Sequence, residues 1–249
     1  MNNQNHDEIT EKVCATLSNL DVTNENKLIN YILQPHKIPD FININILKEY
    51  VKKDLDGNKE YYDDLNITYR ISDPKKAEWI LKKSIMNSKL VGNGNTYIDI
   101  LINDTVGIDV SVLTLNKASC TNEKSIMQNF TSSGDLDMLF NDEDGEKAVK
   151  IFRDKLKEKY NVETKKLENI YYLNFICKNK NVYISCLKLF PENIVNMKYT
   201  SITKNYKNIL IDNFIDAEYG NVKLYKSKKR LELRLCKNIV NHEFTQKIF

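Results

Sequence analysis

Apolar positions recur at helical spacing over residues 7–34, where Ile9, Val13, Leu17 and Leu20 fall on one side. Pro35 and Pro39 interrupt the chain, and 41–53 predicts a second helix with Ile44, Leu47 and Val51 aligned. A polar loop follows at 54–60. Ser72 or Asp73 can cap a third helix, with Pro74 in its first turn and a body reaching about Asn87. The pattern then changes. Residues 97–102 and 106–115 are β-branched and apolar, with Asn103, Asp104 and Thr105 between them, which predicts a hairpin. Thr121 or Asn122 can cap a further helix. Residues 131–134 and 141–145 frame a loop, and 146–160 predicts an amphipathic helix with Val149, Phe152 and Leu156 inward. Beyond it the period becomes two. Residues 170–177 and 182–189 predict a second hairpin, 191–197 a helical turn and 209–214 a strand. A third hairpin joins 222–225 to 231–235. These elements predict an α/β (α+β) fold, a mixed central β-sheet flanked by helices with an N-terminal helical portion. One domain over 1–249 is the simplest organisation, divided into 1–70, 72–190 and 191–249.

Composition narrows the classes. With 41% hydrophobic and 29% charged residues the chain can bury a core and is not a disordered polymer. No apolar run is long enough for a membrane span, and the first residues lack the basic start and apolar stretch of a signal peptide, so a cytoplasmic location without membrane contact is expected. Five scattered cysteines without a Cys-x-x-Cys pair argue against a disulfide framework and structural zinc. His6, His36 and His242 lie far apart, so no local spacing supports a Cys/His nucleophile pair. A net charge of only +3 gives no global nucleic-acid signature, and its distribution matters more.

The chemistry concentrates in the first hairpin. Asp99 and Asp109 each interrupt an apolar run, and desolvating an unpaired carboxylate is costly. Two acids on adjacent strands suggest a shared divalent cation, and oxygen ligands suit Mg²⁺. Against this, both acids could face solvent on a half-exposed sheet, and Asp104 could be a turn residue.

Helix, acid-bearing hairpin, helix and further strands, in that order, resemble the PD-(D/E)XK nucleases, of which type II restriction endonucleases are the best-known members. The resemblance runs from about Ser72 to Leu189. It implies a restriction-endonuclease-like fold with Asp99 and Asp109 as Mg²⁺ ligands in a site-specific endonuclease acting on double-stranded DNA. Two positions depart from the family pattern: Ile98 precedes Asp99 in place of Pro, and Ser111 stands where a water-activating Lys is usual. Ser111 is then a polar helper or an ordinary strand residue. Lys117 or Lys124 could supply the missing cation, or both could be solvated lysines. Glu78, on the preceding helix, matches a further acid of some members, or is a surface residue beside Lys75 and Lys82. Gln128 matches a Gln that recurs after the second acid strand. Restriction enzymes usually bind palindromes as two-fold dimers, so the resemblance also implies a homodimer.

Lys223, Lys226, Lys228, Lys229, Arg230 and Arg234 cluster on the third hairpin. Such a ribbon can track phosphates or enter a groove, or simply keep a hairpin tip soluble. The 131–144 loop is a second candidate for base recognition. Two rival readings remain. Asp135 and Asp137 are similar to the metal-binding strand of nucleotidyltransferases, although the Gly-Ser usual upstream is missing. Alternatively, Ser111 marks a nucleic-acid-binding protein with a degenerate, non-catalytic nuclease fold.

Overall fold

The computed structural model describes residues 30–55, 74–91, 98–114, 146, 149–154, 157, 167–178, 181–202, 208–225, 230–236 and 238–249. β1 (Leu33–His36) leads to α1 (Ile44–Leu55) and α2 (Pro74–Lys83). Then come β2 (Ser88–Leu90), β3 (Ile100–Ile102) and β4 (Val106–Thr114). Residues 149–154 are helical (α3). The remaining strands are β5 (Asn169–Lys178), β6 (Asn181–Leu189), β7 (Lys198–Ile202), β8 (Asn208–Asp212), β9 (Gly220–Tyr225), β10 (Arg230–Leu235) and β11 (Thr245–Lys247). Short 3₁₀ turns cover Pro191–Asn196 and Ile239–Asn241.

The main sheet runs β1-β6-β5-β4-β3-β2, and β11 joins β6 beside β1. Only β4 and β5 are parallel; every other pair is antiparallel. The architecture is therefore mixed α+β. The predicted first hairpin closes through Asn103 (φ 47°) and Asp104 (φ 59°), the two left-handed residues of a type I′ turn. Asp104 is indeed a turn residue, and its carboxylate takes a hydrogen bond from Lys89 Nζ at 2.6 Å. The second and third hairpins form close to their predicted limits.

Strand alternation separates two cores. On one face Ile100, Ile108, Val110, Leu173, Phe175 and Ile184 pack with Leu47 and Val51 of α1 and Ala77, Ile80 and Leu81 of α2. The Asn43 side chain accepts from the N–H groups of Asn45 and Ile46 and so starts α1. On the other face Leu113, Tyr172, Ile176 and Leu187 pack with Val149 and Phe152 of α3. Ile209, Ile211, Val222 and Leu233 of the four-stranded β10-β9-β8-β7 sheet complete this second core.

Three expected limits are corrected. Leu33 and Gln34 belong to β1, so the first helix does not reach 34, and its body at 7–29 lies outside the described residues. The third helix ends at Lys83, not Asn87: Asn87 has φ 54° and Ser88 opens β2. The strand expected over 209–214 is β8, ending at Asp212, with Phe214 buried in the bend that follows.

Gly220 permits the β9–β10 pairing. A Cβ there would lie 2.3 Å from the Arg234 carbonyl oxygen, a backbone atom that cannot swing aside. Gly220→Ala is expected to destabilise the fold by about 1–3 kcal/mol, read as a lower urea midpoint. An unchanged midpoint would contradict the stated register.

Candidate active site

Asp99 sits in the bend entering β3, half-buried. Its N–H donates to the Ile108 carbonyl at 2.8 Å, and its Oδ2 accepts from the Val110 N–H at 2.8 Å. The side chain is thereby laid against the β4 backbone at the two residues that flank Asp109. Asp109 is half-buried on β4 and Ser111, two residues on, is buried. Ile108 and Val110 point into the helix-covered core, so Asp109 and Ser111 alternate to the opposite face.

Glu78 does not join them. It is buried on α2, which packs on the Ile108 side, and its carboxylate holds Lys75 Nζ at 2.9 and 3.2 Å. The expected pairing with Lys75 is present, but the expected surface exposure is not. α2 is covered on nearly all sides, from Lys76 to Leu81. Lys117, Lys124, Gln128 and the acids Asp135 and Asp137 lie outside the described residues.

The basic hairpin forms, with Lys223 on β9 and Arg234 on β10, both half-buried. They alternate with the buried Val222, Leu233 and Leu235, and so occupy the outer face of the small sheet. The register sets Glu232 opposite Lys223 and Asn221 opposite Arg234. Arg230 opens β10 opposite Tyr225, while Lys226, Lys228 and Lys229 lie outside the described residues.

The three described cysteines are poor nucleophiles. Burial pushes the Cys177, Cys186 and Cys236 thiols up, and Asp54 adds to the effect at Cys177. These groups stay protonated near neutral pH, and the thiolate is the reactive form.

No family model, curated protein or solved structure matches the chain. Two carboxylates and a hydroxyl are hard oxygen donors of the kind Mg²⁺ takes, and Mg²⁺ commonly uses only one or two carboxylates and keeps several waters. Among the described residues no three His, Cys, Asp or Glu side chains group closely enough to hold a metal. A cation at Asp99 and Asp109 would complete its shell with water and phosphate oxygens.

Asp99 also has a structural task, and the two roles separate by substitution. Asparagine can still accept from the Val110 N–H. Asp99→Asn is expected to leave the thermal midpoint nearly unchanged, whereas Asp99→Ala should cost about 1 kcal/mol in denaturant unfolding. Equal losses in both would deny the Val110 bond.

Proposed function

We propose that the chain is a Mg²⁺-dependent DNA endonuclease with a restriction-endonuclease-like fold, acting as a homodimer on double-stranded DNA, with Asp99 and Asp109 as its metal ligands. The supporting observation is the hold of Asp99 on the β4 backbone at residues 108 and 110, the chain neighbours of Asp109. The order of α2, the acid-bearing hairpin, a connection containing α3, and then β5 and β6 agrees with the resemblance in the sequence.

Asp99 and Asp109 would hold Mg²⁺, which would acidify a bound water and neutralise charge on the phosphate. The chain's own contribution is placement. Val110 fixes the direction of the Asp99 carboxylate, and the turn at Asn103 and Asp104 fixes the offset of β3 against β4. Water oxygen adds to phosphorus while the bond from phosphorus to the leaving oxygen breaks. The leaving oxygen gains a proton, and the proton lost by the water passes to solvent. Lys223 and Arg234 on the outer hairpin face are suited to phosphate contact.

A non-catalytic nucleic-acid-binding protein is the second reading, favoured by Ser111 being buried where a lysine is usual and by the occupation of Asp99 Oδ2. Asp99→Asn decides between the two. The enzyme reading expects DNA affinity within about twofold of wild type and cleavage lowered at least about 10²-fold. The binding reading expects no cleavage in either protein and equal gel shifts.

A further inference from the structure

A line of polar residues crosses the second face of the main sheet. Ser111 on β4 is the Cα partner of Asn174 on β5. Asn174 is the partner of Ser185 on β6, and Ser185 is the partner of Thr245 on β11. Directly paired residues share a face, so four polar side chains cross four neighbouring strands on the face that Asp109 occupies. The row on one side is Asp109, Tyr172 and Leu187; on the other it is Leu113, Ile176 and Tyr183.

Asn174 and Ser185 are deeply buried, at 0% and 3% exposed, and Thr245 is half-buried. The Ser185 Oγ and Thr245 Oγ1 atoms are enclosed and have no hydrogen-bond partner among the described residues. An unsatisfied buried hydroxyl costs about 1–3 kcal/mol, and alanine or valine would fill the same space without that cost. Adjacent hydroxyls in an enclosed polar place are satisfied most simply by ordered water. Thr245 also lines a surface cleft of about 480 Å³ with Lys37, Pro39, Ile42 and Phe244.

We infer that this row is a hydrated seam leading to the candidate site, and that Asn174 is the positioning residue for the attacking water, in place of the lysine missing at Ser111. The inference rests on the hydrolase reading. An amide both donates and accepts but does not titrate near neutral pH, so Asn174 orients the water and does not deprotonate it. Ser111, its neighbour across the strand pair, links it to Asp109.

The test compares Asn174→Leu, Asn174→Ser and the double variant Ser185→Ala/Thr245→Val in the full chain. The probe is linear double-stranded DNA that the wild type cuts. Asn174→Leu is expected to lower kcat about 10²-fold, the scale of a misplaced reactant, without changing the Mg²⁺ dependence, DNA affinity or shape of the pH profile. Asn174→Ser, which supplies a hydroxyl and leaves room for a water, should recover part of the rate. The double variant should melt lower than wild type, because it strips the seam of its water. Asn174→Leu cutting within threefold of wild type, or Asn174→Ser as slow as Asn174→Leu, overturns the positioning role. A higher melting midpoint for the double variant overturns the hydrated seam. A wild type that cuts no DNA removes the hydrolase reading and this inference together, a different result from the loss of the Asn174 effect alone.

Discussion

Asp109→Ala is expected to lower Mg²⁺-dependent cleavage by about 10³-fold or more while DNA binding changes only a few-fold. Asp109 lies in the middle of β4, between Ile108 and Val110, both held in the helix-covered core. The backbone at 109 is therefore fixed from both sides, and removing the carboxylate takes away a ligand without moving the strand. Asp109→Asn keeps shape and polarity and removes only charge, so it should lose nearly as much. Single-turnover cleavage at saturating Mg²⁺, beside a gel shift, reads both quantities. Retained cleavage in either variant would remove Asp109 from the site.

The largest expected effect on stability lies elsewhere, at Lys76 and Asp54. Their side chains form an ion pair and are only 6% and 1% exposed. Asp54 stands in the last turn of α1, and Lys76 in the first turn of α2. Each charge is of the sign its own helix end disfavours, and the ion pair offsets both. Lys76→Met alone leaves a buried carboxylate facing the carbonyl end of α1. Asp54→Leu alone leaves a buried ammonium at the N–H end of α2. Either single change should cost about 3–5 kcal/mol, which lowers the melting temperature by roughly 6–20 °C for a chain of this size. The double variant replaces the pair with apolar side chains and should recover most of that loss. A single variant melting within about 2 °C of wild type would show that the pair contributes little.

The three hairpins were legible because period-two alternation and turn residues act locally. Asn103 and Asp104 announce their turn by composition, and the structure gives both the positive φ that a type I′ turn needs. The edge strands were not legible. β1 contains Pro35, tolerated only because β1 is paired on one side. β2 and β11 are three residues each, and Ser-Lys-Leu and Thr-Gln-Lys carry no strand signal without β3 and β6 beside them. Helical spacing leaves Glu78 an exposed or metal-facing acid, because it cannot report that α2 is covered nearly all round. Asp99 and Asp109 stood out as charges within apolar runs. Asn174 did not, since one amide in a strand of Tyr, Leu, Phe and Ile has no partner in sequence. Its place beside Ser111 exists only through the parallel β4–β5 pairing, which joins segments separated by the long stretch between Thr114 and Asn169.

The central claim is tested most directly by incubating the full chain with a long, sequence-diverse double-stranded DNA in Mg²⁺, with a parallel reaction in EDTA. Discrete fragments that appear with Mg²⁺ and vanish with EDTA are the predicted result. DNA left intact in Mg²⁺, with or without binding in a gel shift, would contradict it.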